Sequence, residues 1–481
     1  MKNQYSKRRG WSRRRRRRPQ DNLPFILLGA ALILILLGGG IFFIKQKGGL
    51  AASHLLASSS DAPSGQSTET PEETKPLSEE EALEKLLADA KLLADGYDYD
   101  GAIAMLSENE QFKEYEQVTA AVSEYENTKS TLVRMDPSKI THVFFHSLIM
   151  ENSKAFDGDR KQDGYNQMMT TKDEFEKILQ AMYERDFVLV SIHDVAYETT
   201  DENGNPVFKA GDIMLPPGKK AFVMSQDDVC YYEYMDGDGF ASRIIVGEDG
   251  KPTCEMKHED GSVTVGSYDL VPLLDEFIEE HPDFSYKGAK AILAFTGYNG
   301  ILGYRTAASY GTDEYKAEHP DFNYEEEKAK AAEVAQALKD DGYELSSHSW
   351  GHRNMGTISM EDFITDTEKW DTEVAPLIGG TDIILFPFGS DIGDWRPYAD
   401  SNERFQYLKS KGFRYFCNVD SAQYYVQIGP DYMRQGRRNL DGYRMYYDLP
   451  ESNPTKTHLD DLFDVPEVFD RSRPTPVPPM S

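Results

Sequence analysis

The sequence predicts an α/β fold, a distorted barrel of the (β/α)7 type over residues 140–450, preceded by a transmembrane helix and an α-helical stalk. Two observations carry the barrel. From Ile140 onward, short β-branched and aromatic runs alternate with stretches of helical periodicity, the signature of parallel βαβ units. The polar residues with chemical potential, Asp227, His348 and Asp420, stand at or just past the ends of those runs, and in such barrels chemistry gathers at the carboxyl ends of strands.

The elements follow in order. "ITHVFFHSLI" reads as the first strand and "TKDEFEKILQAMYERDF" as a helix capped by Thr171. "VLVSIHDVA" reads as the second strand, "KAFVMSQDD" as the third and "AKAILAFTG" as the fourth. Next come the helix "YEEEKAKAAEVAQALKDDGY", the strand end "ELSSHSWGH", the helix "TDTEKWDTEVAPLIG" and the strand "DIILFPFG". The helix "ERFQYLKSKGF" and the strand "RYFCNVD" close the series. Residues 232–286, with Gly/Asp turns between alternating Ile/Val segments, predict a β-hairpin excursion that starts beside Asp227 and is expected to line or cover that region. The tail, residues 451–481, is Pro-rich and expected to be extended.

Charge is distributed unevenly. Residues 1–47 hold twelve Lys and Arg against one Asp, inside a chain whose formal net charge is −30. The acidic remainder excludes nucleic-acid binding over most of the surface and favours cations. The basic segment, residues 1–22, leads into residues 23–44, which contain no charge. Roughly 20 apolar residues span a bilayer, and the positive-inside rule places the Arg cluster in the cytoplasm. The expectation is therefore a single-pass cell-membrane protein with its catalytic domain outside. A cleaved signal peptide is the rival, disfavoured because the apolar core is too long for one. Residues 45–76, rich in Ser, Thr, Pro and Glu, read as a flexible linker. Residues 77–135 read as the stalk, opened by a Ser78/Glu81 capping box and containing one tetratricopeptide-like stretch, "GYDYDGAIAML". Three cysteines without a CxxC provide neither a disulfide framework nor a thiolate metal site, a usage that suits an extracellular bacterial protein.

The chemistry concentrates in two places. The run Ala221–Met224 ends on Asp227 and Asp228, adjacent carboxylates that resist ionising together unless a cation or donors compensate. "HSWGH" sets His348 and His352 four apart, a spacing that lets two imidazoles share one cation. A His-His-carboxylate set with open positions is a hydrolytic metal site for zinc or another first-row divalent metal such as cobalt. Each group has an ordinary alternative, a solvated turn for the aspartates and structural packing for the histidines. Those alternatives weaken when both groups stand at strand ends of one barrel.

Asp-Asp after an apolar strand followed by His-Ser-x-x-His resembles the polysaccharide deacetylases of carbohydrate esterase family 4, the NodB-homology domain, over about residues 140–445. The resemblance extends to "HVFFHSLI" at the first strand, to "FPFG" as a third motif and to "VDSAQY" as a fourth. It implies Asp227 as catalytic base, Asp228, His348 and His352 as metal ligands, and Pro387, Phe388 and Asp420 along a sugar groove. Several positions depart from the family. Leu385 occupies the place of an arginine that normally orients the base, and Arg434, Arg437 or Arg438 is available as a substitute. Gln423-Tyr424 replace an Asp-Trp pair, and "DIGDW" at Asp391–Trp395 imitates the fourth motif too soon after the third. No clean copy of the fifth motif's general-acid histidine is present. His458 lies in a polar stretch, which leaves the acid open. His146, at the end of the first strand, is a candidate for a place beside the site, and His193 reads as structural.

The expected function is removal of N-acetyl groups from a cell-wall or cell-surface polysaccharide, of peptidoglycan or poly-N-acetylglucosamine type. An O-acetyl carbohydrate esterase is an alternative that needs less help from an acid. A catalytically silent glycan-binding relative is another, which the retained Asp227 disfavours.

Overall fold

The computed structural model describes residues 77–480 apart from 421, 455 and 456. The basic segment, the apolar span at 23–44 and the linker lie outside the described residues, and no helix among the described residues is long and apolar enough to cross a membrane. The described residues form one compact unit.

The unit opens with three helices, α1 (Glu79–Asp95), α2 (Tyr99–Ser107) and α3 (Glu116–Lys129). The Ser78/Glu81 capping box is formed as expected. These helices do not stand free as a stalk. Ala90, Ala94, Ala102, Leu106 and Val118 belong to the same apolar cluster as barrel residues Val188, Ala221 and Ile292. Tyr97 stacks on Tyr286 and donates to the carbonyl of Asp283 at 2.8 Å. An amphipathic face that one repeat cannot bury alone is buried here against the domain.

The barrel elements then follow. They are β1 (Thr141–Phe145), α4 (Lys172–Glu184), β2 (Phe187–Leu189), β3 (Lys220–Gln226), the insertion strands β4 (Arg243–Val246), β5 (Pro252–Lys257) and β6 (Val263–Gly266), α5 (Leu270–Glu280) and β7 (Ile292–Phe295). The series continues with α6 (Tyr324–Asp340), β8 (Glu344–Ser347), α7 (Met360–Glu373), β9 (Ile383–Leu385), α8 (Glu403–Ser410), β10 (Tyr415–Val419), β11 (Met433–Asn439) and α9 (Gly442–Asp448). Seven parallel strands close in the order β7-β8-β9-β10-β11-β1-β3 and back to β7. Distortion arises at β3. Its first residues pair with β2 (Leu189 against Phe222), while Ser225 and Gln226 pair with β7. Two short strands thus share one edge of a long one.

Strand alternation sorts the side chains. Phe222, Met224, Val143 and Phe145 belong to the outer cluster under the helices, whereas Ala221 and Val223 belong to the inner one. The same parity places Ser225 and Asp227 with the inner set of β3, and Gln435 and Arg437 with that of β11.

Three expectations need correction. The strand expected over "VLVSIHDVA" ends at Leu189. Ser191 accepts from the His193 amide and starts the short helix Ile192–Val195, and a hairpin, Ala196–Thr200 with Pro206–Ala210, follows. The insertion is a three-stranded antiparallel sheet lying against α5 and α6. The stretch before that sheet, not the sheet itself, reaches the aspartates. The Pro-rich tail is docked: Val477 is buried, and Arg473 donates from Nε at 2.7 Å to Glu174 on α4, with both side chains wholly buried. His458 likewise serves structure, its amide donating to both oxygens of Asp448 at 2.8 Å.

Breaking a buried ion pair from one side strands the other charge. Arg473→Ala is therefore expected to lower unfolding free energy by roughly 3–5 kcal/mol, measured by denaturant titration. A second prediction concerns His193. Burial disfavours its charge, but hydrogen bonds to Asp382 (3.1 Å) and Glu344 push its pKa up to about 10. Because the folded value is raised, the contribution to stability is full below about 6.5, the unfolded value. It is lost as pH rises through about 10. The difference in melting temperature between wild type and His193→Ala should shrink across that window.

Candidate metal centre

Asp227 ends β3 inside the barrel mouth, its amide donating to the Phe145 carbonyl at 2.8 Å. Arg437 reaches it from β11 across β1. Nη1 lies 2.6 Å from Oδ1 and Nη2 3.0 Å from Oδ2, with the arginine wholly buried. Burial alone would raise the Asp227 pKa, but the guanidinium and the neighbouring imidazoles hold it well below the usual carboxylate range. A polar file supports the pair from beneath. Arg437 also donates to Ser225 Oγ (3.2 Å), Ser225 meets His142 Nε2 (2.9 Å), and His142 Nδ1 meets Gln435 Oε1 (3.1 Å). Burial, then the charge of Arg437, keeps His142 neutral.

Asp228 follows with φ 58°. This left-handed conformation is one that Asp tolerates better than most residues, and it turns the second carboxylate away from the first. Tyr232 donates to its Oδ1 at 2.8 Å. Its Oδ2 lies 3.7 Å from His352 Nε2, and His348 Nε2 is 3.8 Å from Asp227 Oδ2. One ligand atom from each of Asp228, His348 and His352 falls within 4.8 Å of the others. His348 Nδ1 lies 2.7 Å from the Leu385 carbonyl, which can only accept. Nδ1 therefore carries the proton, and Nε2 presents a lone pair to the centre. Burial lowers the His348 pKa and keeps the ring neutral. These donors, two imidazoles and one carboxylate, fit a divalent first-row cation.

The loop carrying the histidines is held by Asp366 on α7, whose carboxylate accepts from the amides of Trp350 (2.9 Å) and Gly351 (2.8 Å). Ser349 and His352 sit at φ 59° and 47°, so the turn needs such an anchor. Phe388, in the turn Pro387–Gly389, also has a left-handed φ of 57°. Its ring lies edge-on to His352 at 4.5 Å and is 69% exposed.

The structure thus brings together Asp227, Asp228, His348, His352, Arg437 and Phe388. Pro387 lies buried in the same turn. His146 is buried just past β1, on Phe144 at 5.9 Å, and stands next in register to Asp227. The Asp420 carboxylate closes a turn by accepting from the Ala422 amide at 2.7 Å. The choice among the three arginines is resolved by partner: Arg434 takes Asp391 at 2.7 Å and Arg438 takes Asp461 at 2.7 Å, leaving Arg437 for Asp227. Asp391 in "DIGDW" is accordingly a structural partner of Arg434. Sequence reading missed His142, Ser225 and Asp366. Of these, Ser225 carried a signal, the two-residue spacing that puts it with Asp227 on one face.

No protein-family model and no curated protein matches this chain. Two solved structures are similar to it. The Streptococcus pyogenes deacetylase PplD, in complex with acetate, is 12% identical over 68% of this chain and 100% of its own, with a TM-score of 0.34. BA0330 from Bacillus anthracis, described as a polysaccharide deacetylase, is 9% identical over 67% of both chains, with a TM-score of 0.35. With so little backbone overlap, the chemistry rests on the side chains themselves.

Asp366→Ala should free the histidine loop and weaken metal binding by about 10–100-fold, the usual effect of losing an outer support, measured by competition with a chelating dye. Arg437→Gln should leave Asp227 buried without its counter-charge. Its pKa then rises, the acid limb of any hydrolytic pH profile moves to higher pH, and stability falls by roughly 3–5 kcal/mol.

Proposed function

We propose that the chain is a metal-dependent hydrolase that removes N-acetyl groups from a cell-surface or cell-wall polysaccharide of peptidoglycan or poly-N-acetylglucosamine type. The observation that carries this reading is the Arg437 clamp, which keeps a buried carboxylate ionised beside an Asp/His/His ligand set. A binding module has no need of such a base. The predicted membrane span supports a site outside the cell, close to surface glycans.

Asp228, His348 and His352 would hold the cation. When bound, it supplies a Lewis acid for the acetyl carbonyl and makes water more acidic. Asp227 accepts the proton of the attacking water, and Arg437 fixes the carboxylate oxygens so that the proton arrives at a defined position. An amide nitrogen leaves only when protonated, so an acid is required. His146 is the imidazole outside the ligand set that follows β1 next in register to Asp227. We assign it to hand the proton to the departing nitrogen.

The test is acetate release by the full chain supplied with zinc or cobalt, from N-acetylglucosamine oligomers and from an O-acetylated sugar in parallel. Asp227→Asn should abolish release from both. His146→Ala should slow amide cleavage by about 10²–10⁴-fold, the typical worth of a general acid, and ester cleavage far less, because an alkoxide leaves more readily. Faster ester than amide cleavage by the wild type would favour the O-acetyl esterase. No release from either substrate by the metal-loaded, folded chain would favour a glycan-binding role.

A further inference from the structure

Asp269, at the end of the insertion, is wholly buried. It stands at the N-cap of α5, where an aspartate ordinarily accepts from the amides of the helix's own first turn, yet its side chain makes no such capping bond. The carboxylate reaches instead toward the end of β3 and takes three donors from outside the helix. Leu148 donates its amide to Oδ1 at 3.0 Å, Gln226 its side-chain amide to Oδ1 at 2.8 Å, and Tyr231 its hydroxyl to Oδ2 at 2.6 Å. All three donors are neutral. Phe145, Leu148, Met224 and Leu270 of the outer apolar cluster make up the same layer, where a buried carboxylate is costly. What the carboxylate gains there is the three attachments.

Each attachment belongs to a different segment of the site. Gln226 immediately precedes Asp227. Tyr231, three residues after Asp228, is held at a left-handed φ of 48°. Leu148 lies two residues beyond His146, and Gln226 also donates to the His146 carbonyl at 3.3 Å. Both neighbours of the Gln226 amide group can only accept, so its NH2 faces them, and its Oε1 has no partner among the described atoms. The backbone at His146 is therefore gripped twice, at its own carbonyl through Gln226 and at the amide two residues on by Asp269 itself. Gln226 shares the outward parity of Phe222 and Met224, so the grip comes from outside the barrel wall. The imidazole lies on the other side, against the Phe144 ring that also carries the Arg437 guanidinium at 4.4 Å.

We propose that Asp269 is the positioning residue for His146: it fixes the backbone that carries the imidazole, and so sets the place from which the proton is delivered, without touching substrate. This deepens the hydrolase reading above and rests on it for the role of His146. The insertion thereby contributes to the reaction through the residue that leads into α5.

The test uses the full chain supplied with zinc. Asp269→Ala is expected to lower kcat on the N-acetylglucosamine pentamer about 10²-fold, the cost of a misplacement of roughly 1 Å, with KM within about twofold. Cleavage of an O-acetylated sugar, which needs the acid less, should fall far less. In a His146→Ala background the same substitution should cost no more than about twofold, because losses that act through one residue do not add. Asp269→Asn keeps an oxygen for Leu148 and Gln226 and donates to the Tyr231 hydroxyl, so kcat should return to within about fivefold of wild type. Equal losses on amide and ester, a loss that persists without His146, or no loss at all would overturn the assignment. Should Asp269→Ala fail to fold, Gln226→Met breaks one grip and leaves the other. It should lower kcat about tenfold, again only while His146 is present, and a fall independent of His146 counts against the assignment. Hydrogen exchange over residues 146–150 separates the two readings. Faster exchange in Asp269→Ala, with no acetate released by the wild type, sinks the hydrolase alone. Unchanged exchange sinks the positioning role alone.

Discussion

A guanidinium buried in the barrel is what keeps Asp227, the first of two consecutive aspartates, ionised where it is buried. Each carboxylate would raise the pKa of the other, and burial would raise the first further. Arg437 cancels the charge of Asp227 and leaves Asp228 as the carboxylate of the ligand set. The left-handed turn at Asp228 then gives the two carboxylates different neighbours. His142, Gln435 and Ser225 complete the pairing below, so the arginine head meets partners instead of bare apolar wall. One buried donor, Arg437 Nε, lacks a partner among the described atoms, which shows how far the head is committed to its two terminal nitrogens.

Because β11 lies next to β1 and two strands from β3, an arginine on β11 reaches the base from the side opposite β9. Leu385 on β9 cannot supply a charge, but its carbonyl fixes the tautomer of His348. The backbone of one strand orients a ligand, and the side chain of another orients the base. The two tasks are divided around the barrel wall, and the site tolerates an apolar residue at Leu385 for that reason.

Much of this was legible in the chain. The barrel strands, the Asp227/Asp228 pair and the His348/His352 spacing are local patterns, and local patterns survive without coordinates. The assignment among Arg434, Arg437 and Arg438 did not, because it turns on which residues of β11 face inward and which acidic loop meets each outward one. The docked tail was hidden for a similar reason. Arg473 reads as a charge in a Pro-rich run, and only its encounter with Glu174, almost 300 positions earlier, makes it a core residue. The helices taken for a stalk were recognised by periodicity, but periodicity does not say what an apolar face will cover. Asp366 looked like any acid on a helix until the strained loop it holds was placed above it.

The attachment of α1–α3 has a directional consequence. They dock beside residues 283–287, just ahead of β7, and so at the end of the barrel where its strands begin. The metal centre opens where those strands finish. α1–α3 therefore lie at the end of the barrel away from the metal centre, where they cover the starts of the strands and contribute no side chain to the site.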